Sequence, residues 1–361
     1  MSGSTRLEVN RSAPVEVEPA KHSGVPYPSS WIDRLIEWID GLPGPVWLFY
    51  ALSILVTAIL INVALWLVGS LPVGSIDPLN TFFSVLMFYW IGLYHHLTRV
   101  GSRSLRKFSL LLDAEDAEMA AIEYELATLP SWLGWLAIPL GLGLAAVDVM
   151  GDPTPYGDIV VQSSMIMVFD LGITGMLGAT FFCVIIRSIR QLRMVGKLHA
   201  RADRLNLLEL SPAHAFSDLT ARTGIGLILL LVLAYLFDPT SAGTPIDALL
   251  YAAIVVLAVA IFVLPIIGMR RLLEDEKDRV LKETSDLLKD TWDSLDRRIK
   301  NGEFEDLQGM ESAIVSLTNK RELLSKISTW PWNPRTIRGF ASTLLLPIFL
   351  WLVTRVLERF L

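Results

Sequence analysis

Apolar residues along this chain come in blocks bounded by short polar stretches, at 45–69, 80–97, 131–149, 159–186, 224–237 and 246–268. A helix rising ~1.5 Å per residue needs about twenty residues to cross a ~30 Å hydrocarbon layer, and the blocks cluster around that length. The pattern predicts an all-α fold: a polytopic membrane helix bundle of three transmembrane hairpins over residues 45–268. Connections within the hairpins (70–79, 150–158 and 238–245) are rich in Gly, Pro and Asp and hold no Lys or Arg. Connections between hairpins are basic near the membrane, through Arg99, Arg103, Arg106 and Lys107 in the first and Arg187, Arg190, Arg193, Lys197, Arg201, Arg204 and Arg222 in the second. Cationic loops stay inside, so the amino terminus and the long connections are read as cytoplasmic and the bilayer as the plasma membrane. Arg6, Arg11, Lys21, Arg34 and Arg270–Arg271 agree.

The flanks follow other periods. Residues 1–28 lack periodicity and read as a disordered tail. Ser30-Trp31-Ile32-Asp33 has the spacing of a capping box opening a short helix over 29–41, with Trp31, Ile32, Leu35, Ile36 and Ile39 on one face. It is expected to be an interfacial amphipathic helix on the membrane surface, with Trp31 and Trp38 at headgroup depth; packing against the bundle is the alternative, which the pattern alone does not separate. After the sixth block the chain becomes charged and helical, with Leu273, Val280 and Leu287 in one heptad row and Leu281, Leu288 and Leu295 in the next. Asn301-Gly302 breaks it, and Phe304, Leu307, Ile314, Leu317, Leu324 and Ile327 mark a second amphipathic helix. Residues 269–333 are therefore expected to form an antiparallel helical hairpin projecting into the cytoplasm. Residues 334–361 form a carboxyl-terminal membrane segment, which either crosses with a tilt or lies re-entrant or interfacial. Its apolar residues cover every side, which favours crossing, and Arg355 and Arg359 argue the other way.

Composition removes several classes. With 52% hydrophobic and 19% charged residues among 361, the chain is too apolar for an ordinary soluble domain. A net charge of −6 lacks the basic excess of a nucleic-acid binder, so no nucleic-acid partner is expected. The single cysteine, Cys183, lies in an apolar run and supports neither a disulfide nor a thiolate metal site within one chain.

Few residues are candidates for chemistry. Asp170 stands in the fourth block, where an ionisable group costs about 2.5–3.5 kcal/mol on insertion scales. It reads as a proton or cation site with Gly172, Gly175 and Gly178 admitting an ion or a neighbouring helix, or as a structural acid at the outer rim. Asn62 and Asp148 also fall in the outer half, and the three form a small polar cluster if the hairpins pack side by side. The plain alternative leaves Asn62 bonding across helices and Asp148 solvated. Pro139, Gly141 and Gly143 mark a kink or close crossing in the third block. His95 and His96 point about 100° apart on a helix, one toward the bundle and one toward the interface. No protease, hydrolase-elbow or phosphate-loop signature is present, and no metal or cofactor is expected. The acids at 113–125 read as a solvated helix face.

Three stretches carry a resemblance: Trp330-Pro331-Trp332-Asn333-Pro334 with Thr336-Ile337-Arg338-Gly339, Arg201-Ala202-Asp203-Arg204-Leu205-Asn206-Leu207-Leu208, and Ala215-Phe216-Ser217-Asp218-Leu219-Thr220-Ala221-Arg222. They cover about a tenth of the chain, and in them it resembles a group of uncharacterised prokaryotic multi-pass membrane proteins. The resemblance implies a bacterial or archaeal cytoplasmic membrane and brings no catalytic residues. The leading expectation is a non-enzymatic scaffold, sensor or assembly protein whose hairpin at 270–329 mediates self-association or binds a protein partner. The alternative is a proton or small-ion transporter or channel using Asp170.

Overall fold

The structure, a computed structural model, describes residues 26–69, 71–112, 114–151, 164–201, 215–237, 245–302, 307–330 and 334–360. Within these the fold is all-helical, and Ser29 and Pro130 make an isolated bridge. The helices are α1 (Trp31–Asp40), α2 (Val46–Val68), α3 (Pro78–Phe108), α4 (Asp116–Ala127), α5 (Ser131–Gly151), α6 (Ser164–Ala200), α7 (Ala215–Phe237), α8 (Pro245–Asn301), α9 (Leu307–Lys326) and α10 (Pro334–Phe360). Four described helical stretches are long and apolar enough to cross a membrane: Val46–Leu67, Leu171–His199, Ala215–Leu236 and Tyr251–Asn301. The third predicted span survives as the shorter apolar helix Ser131–Val147, and Thr336–Leu350 is likewise short. The second predicted span lies in α3, where Tyr89, Tyr94, His95 and His96 dilute the apolar residues and which is not among the four.

Local chemistry explains the boundaries. Ser30 and Asp33 form the expected capping box, and α1 buries Ile32, Ile36 and Ile39, spaced to fall on one face, against the bundle. The helix packs on the bundle through this face, and Trp38 remains exposed. α2 ends at Gly69, whose φ of 78° is left-handed. It leans on α3 and turns Leu52, Leu55, Val56, Ile59 and Leu60 outward. Exposed apolar faces of this length are what lipid tails would cover.

α5 and α6 make the most extensive helix pair. They cross where Gly141 meets Gly175, Gly178 and Ala179, so closely that a β-carbon at 178 would stand 2.7 Å from the Gly141 Cα. Small residues allow this approach because no side chain separates the two backbones. α7 is the central helix, with α3, α8 and α10 packed on it. α10 is seated by Phe340, whose ring stacks on Phe262 at 3.9 Å and covers Gly224.

The first part of each basic connection is helical. α3 continues to Phe108 and α6 to Ala200, and their extensions meet α7 and α8 in a second apolar core. Leu97, Val100, Leu105 and Phe108 pack there with Val195, Leu198, Phe216, Leu219, Met269 and Leu273. These contacts bring the basic ends of α3 and α6 to one end of the bundle.

The charged stretch after the sixth block is not a separate element. α8 runs unbroken for 57 residues through Pro265, from the uncharged segment 251–268 into the charged one. It ends at Asn301, with Gly302 at φ 74° making the expected turn. α9 returns along α8, held by Lys277, whose Nζ donates to the carbonyls of Ser325 (2.8 Å) and Ile327 (2.7 Å). Phe304 lies outside the described residues.

Candidate functional site

At the basic end, α1 brings a carboxylate onto α3. Asp33 is buried, and its Oδ2 accepts from Ser30 Oγ (2.6 Å), Ser30 N (3.2 Å) and Leu129 N (2.9 Å). Its Oδ1 accepts from the Tyr94 hydroxyl at 2.7 Å. On the other side of Tyr94 lies Arg187 of α6, its guanidinium carbon 4.1 Å from the ring centroid. Arg187 Nη1 donates to the Tyr94 carbonyl at 3.2 Å and to Thr98 Oγ1. The phenol thus stands between a buried anion and a buried cation, bonding one through its hydroxyl and the other through its ring face.

Two further contacts frame this centre. The Tyr27 hydroxyl donates to the carbonyl of Thr128 (3.2 Å) and accepts from Arg190 Nη2 (3.1 Å), and burial pushes the phenol's pKa upward despite the cation beside it. Trp31 Nε1 donates to the Gly134 carbonyl at 2.9 Å, tying α1 to α5.

The histidine pair divides as its helical offset requires. His95 is buried and bonds Asp40 through Nε2 at 3.2 Å and Tyr50 through Nδ1 at 3.0 Å. A carboxylate partner calls for Nε2–H, leaving Nδ1 to accept from the Tyr50 hydroxyl. His96 faces out and receives a bond from Arg222 at 3.2 Å. His199 is buried against the rings of Phe108 and Phe216, with neither nitrogen bonded among the described residues.

Of the residues expected to form an intramembrane polar cluster, Asn62 is engaged inside its own hairpin. Its Nδ2 donates to the Ala58 carbonyl (2.8 Å) and Thr81 Oγ1 (3.2 Å), and its Oδ1 accepts from Asp77 N (2.7 Å). The amide therefore fastens the start of α3 to α2. Asp148 and Asp170 belong to α5 and α6, and their side chains lie outside the described residues. Their backbone positions fall level, because Asp148 is seven residues beyond Gly141 and Asp170 eight before Gly178, each about 11 Å from the crossing along an antiparallel pair. Gly175 and Gly178 admit a helix, whereas Gly143 and Gly172 have open space around them. Among the described residues no three His, Cys, Asp or Glu converge as metal ligands.

The sequence reading placed Arg187 with the rim cations and Asp33 with the cap alone. A signal for Arg187 was present in its register. Thr180, Val184, Arg187, Gln191, Val195 and Leu198 recur at three- and four-residue steps, and all six are buried. No family model matches this chain, and neither a curated protein nor a solved structure is detectably similar to it.

Proposed function

We propose that this is a multi-pass membrane scaffold, without enzymatic activity of its own, whose helical hairpin joins copies of the chain. The observation that supports the reading best is the continuity of α8, a single helix that runs from the apolar bundle into the hairpin. A continuous helix of this kind suits a part that positions a partner relative to the bilayer. The pairing of α8 with α9 leaves Leu287, Trp292 and Ile299 about half exposed, as expected of a two-helix unit that completes its core with a second hairpin. A plasma-membrane location, a cytoplasmic amino terminus and kinship with the prokaryotic membrane proteins it resembles belong to the same proposal.

Excision of residues 271–329 tests it. The Arg270 guanidinium lies 4.8 Å from the Trp330 ring, so the two cut ends are near each other. Native mass spectrometry of the full chain and the excised chain in the same detergent is expected to show a smaller oligomer after excision. An unchanged oligomer in a folded excised chain refutes association through the hairpin.

A further inference from the structure

Arg187 is a buried cation that its neighbours leave half bonded. It is 3% exposed, and among the described residues Nη1 has two acceptors while the buried Nε and Nη2 have none. Those two nitrogens share one edge of the planar guanidinium, the edge whose parallel N–H groups match two oxygens of an oxyanion. Asp33, the carboxylate across Tyr94, is already held by four donors on its own side of the ring. Water bonded to this edge would bring no counter-charge, and Asp33 lies beyond the Tyr94 hydroxyl rather than against the guanidinium, whereas a buried charge is costly without a close counter-charge.

We propose that the Nε and Nη2 edge of Arg187 binds a phosphate oxyanion, supplied by a phospholipid headgroup or by free phosphate. Arg187 ends the uncharged run 171–186 and begins the basic one, which is the depth at which headgroup phosphates meet a membrane helix. Residues 27–33 lie over this face of α6, held by the Tyr27–Arg190 and Asp33–Tyr94 contacts. A route to the guanidinium is a local opening of α1, a ten-residue helix, at the expense of the Asp33 hydrogen bonds and the burial of Ile32 and Ile36. The headgroup source rests on the membrane reading of the chain, and the free-phosphate source does not.

The test uses the full chain in neutral detergent as wild type, Arg187→Gln and Arg187→Lys. Native mass spectrometry with phosphatidylglycerol, phosphatidylcholine and phosphate-free diacylglycerol reads the headgroup source. Thermal unfolding with inorganic phosphate against chloride at equal ionic strength reads the free ion. Expected is phospholipid retention by wild type without diacylglycerol retention, roughly tenfold weaker for Arg187→Gln and intermediate for Arg187→Lys, because ammonium cannot make the bidentate contact. Stabilisation of wild type by inorganic phosphate alone, lost in Arg187→Gln, supports the same edge with free phosphate as ligand. Equal binding by wild type and both variants, or no binding of any phosphate probe by wild type, overturns the proposal. If Arg187→Gln fails to fold, Arg187→Lys carries the comparison, and binding unchanged in that variant overturns it.

Discussion

The contact between Asp33 and Tyr94 gives a direct measure of how firmly α1 is held. Tyr94→Phe removes one hydroxyl, keeps the ring against Arg187, and leaves Asp33 with three of its four donors. A hydrogen bond to a charged group contributes about 1.5–3 kcal/mol, and losing it from a buried carboxylate falls in that range. Asp33→Asn removes the charge, and its amide nitrogen then meets four partners of which only the Ser30 and Tyr94 hydroxyls can accept. In a double-mutant cycle the two substitutions are therefore expected to couple by about 1 kcal/mol or more rather than add. The loss is local to α1, so hydrogen exchange is the appropriate assay. Amides of residues 34–40 are expected to exchange about 10- to 100-fold faster in Tyr94→Phe, since every ~1.4 kcal/mol is a tenfold change in the opening equilibrium. Amides in α7 are expected to be unaffected. Exchange in α1 within twofold of wild type would refute the view that this bond anchors the helix.

Other outcomes follow from packing. Gly141→Ala places a methyl group against the backbone at Gly175 and Ala179 and is expected to cost about 1–3 kcal/mol by thermal unfolding, despite alanine's better helix propensity. Gly143→Ala, with nothing within 4 Å of the new carbon, is expected to be neutral or slightly stabilising, and equal costs at the two sites would contradict the crossing. Phe340→Ala removes the stack on Phe262 and uncovers Gly224, with an expected cost of about 3–5 kcal/mol and faster proteolysis within 334–360. For Asp170→Asn, the scaffold reading expects unchanged proton flux in reconstituted vesicles, and a clear loss of flux would instead favour the ion-pathway alternative.

Much of the architecture could be read from particular residues. Ser30 and Asp33 marked the start of α1, Gly302 marked the hairpin turn, and the apolar blocks marked most of the long helices. The second core was harder to see. Its apolar residues at 97, 100, 105 and 108 are interleaved with Arg99, Arg103, Arg106 and Lys107, and the charges dominate a composition-based reading of that stretch. Arg187 was hidden for a related reason, because a side chain's type says nothing about its direction when Arg190 and the exposed Arg193 follow within two turns. Only its helical register with Val184, Gln191 and Val195 distinguishes it. The glycines of the third and fourth blocks were legible as a close crossing but not in which of them take part, since that depends on which faces the two helices present.

The continuous helix has a mechanical consequence. From Gly268 to Asn301 it extends 33 residues, a shaft of about 50 Å. Tilting its apolar half by ten degrees would swing the distal turn sideways by about 9 Å, roughly one helix diameter, with no change in internal geometry. The Phe262–Phe340 stack lies on the apolar half, so in a bilayer a change of tilt there would reach the far tip as a sideways displacement.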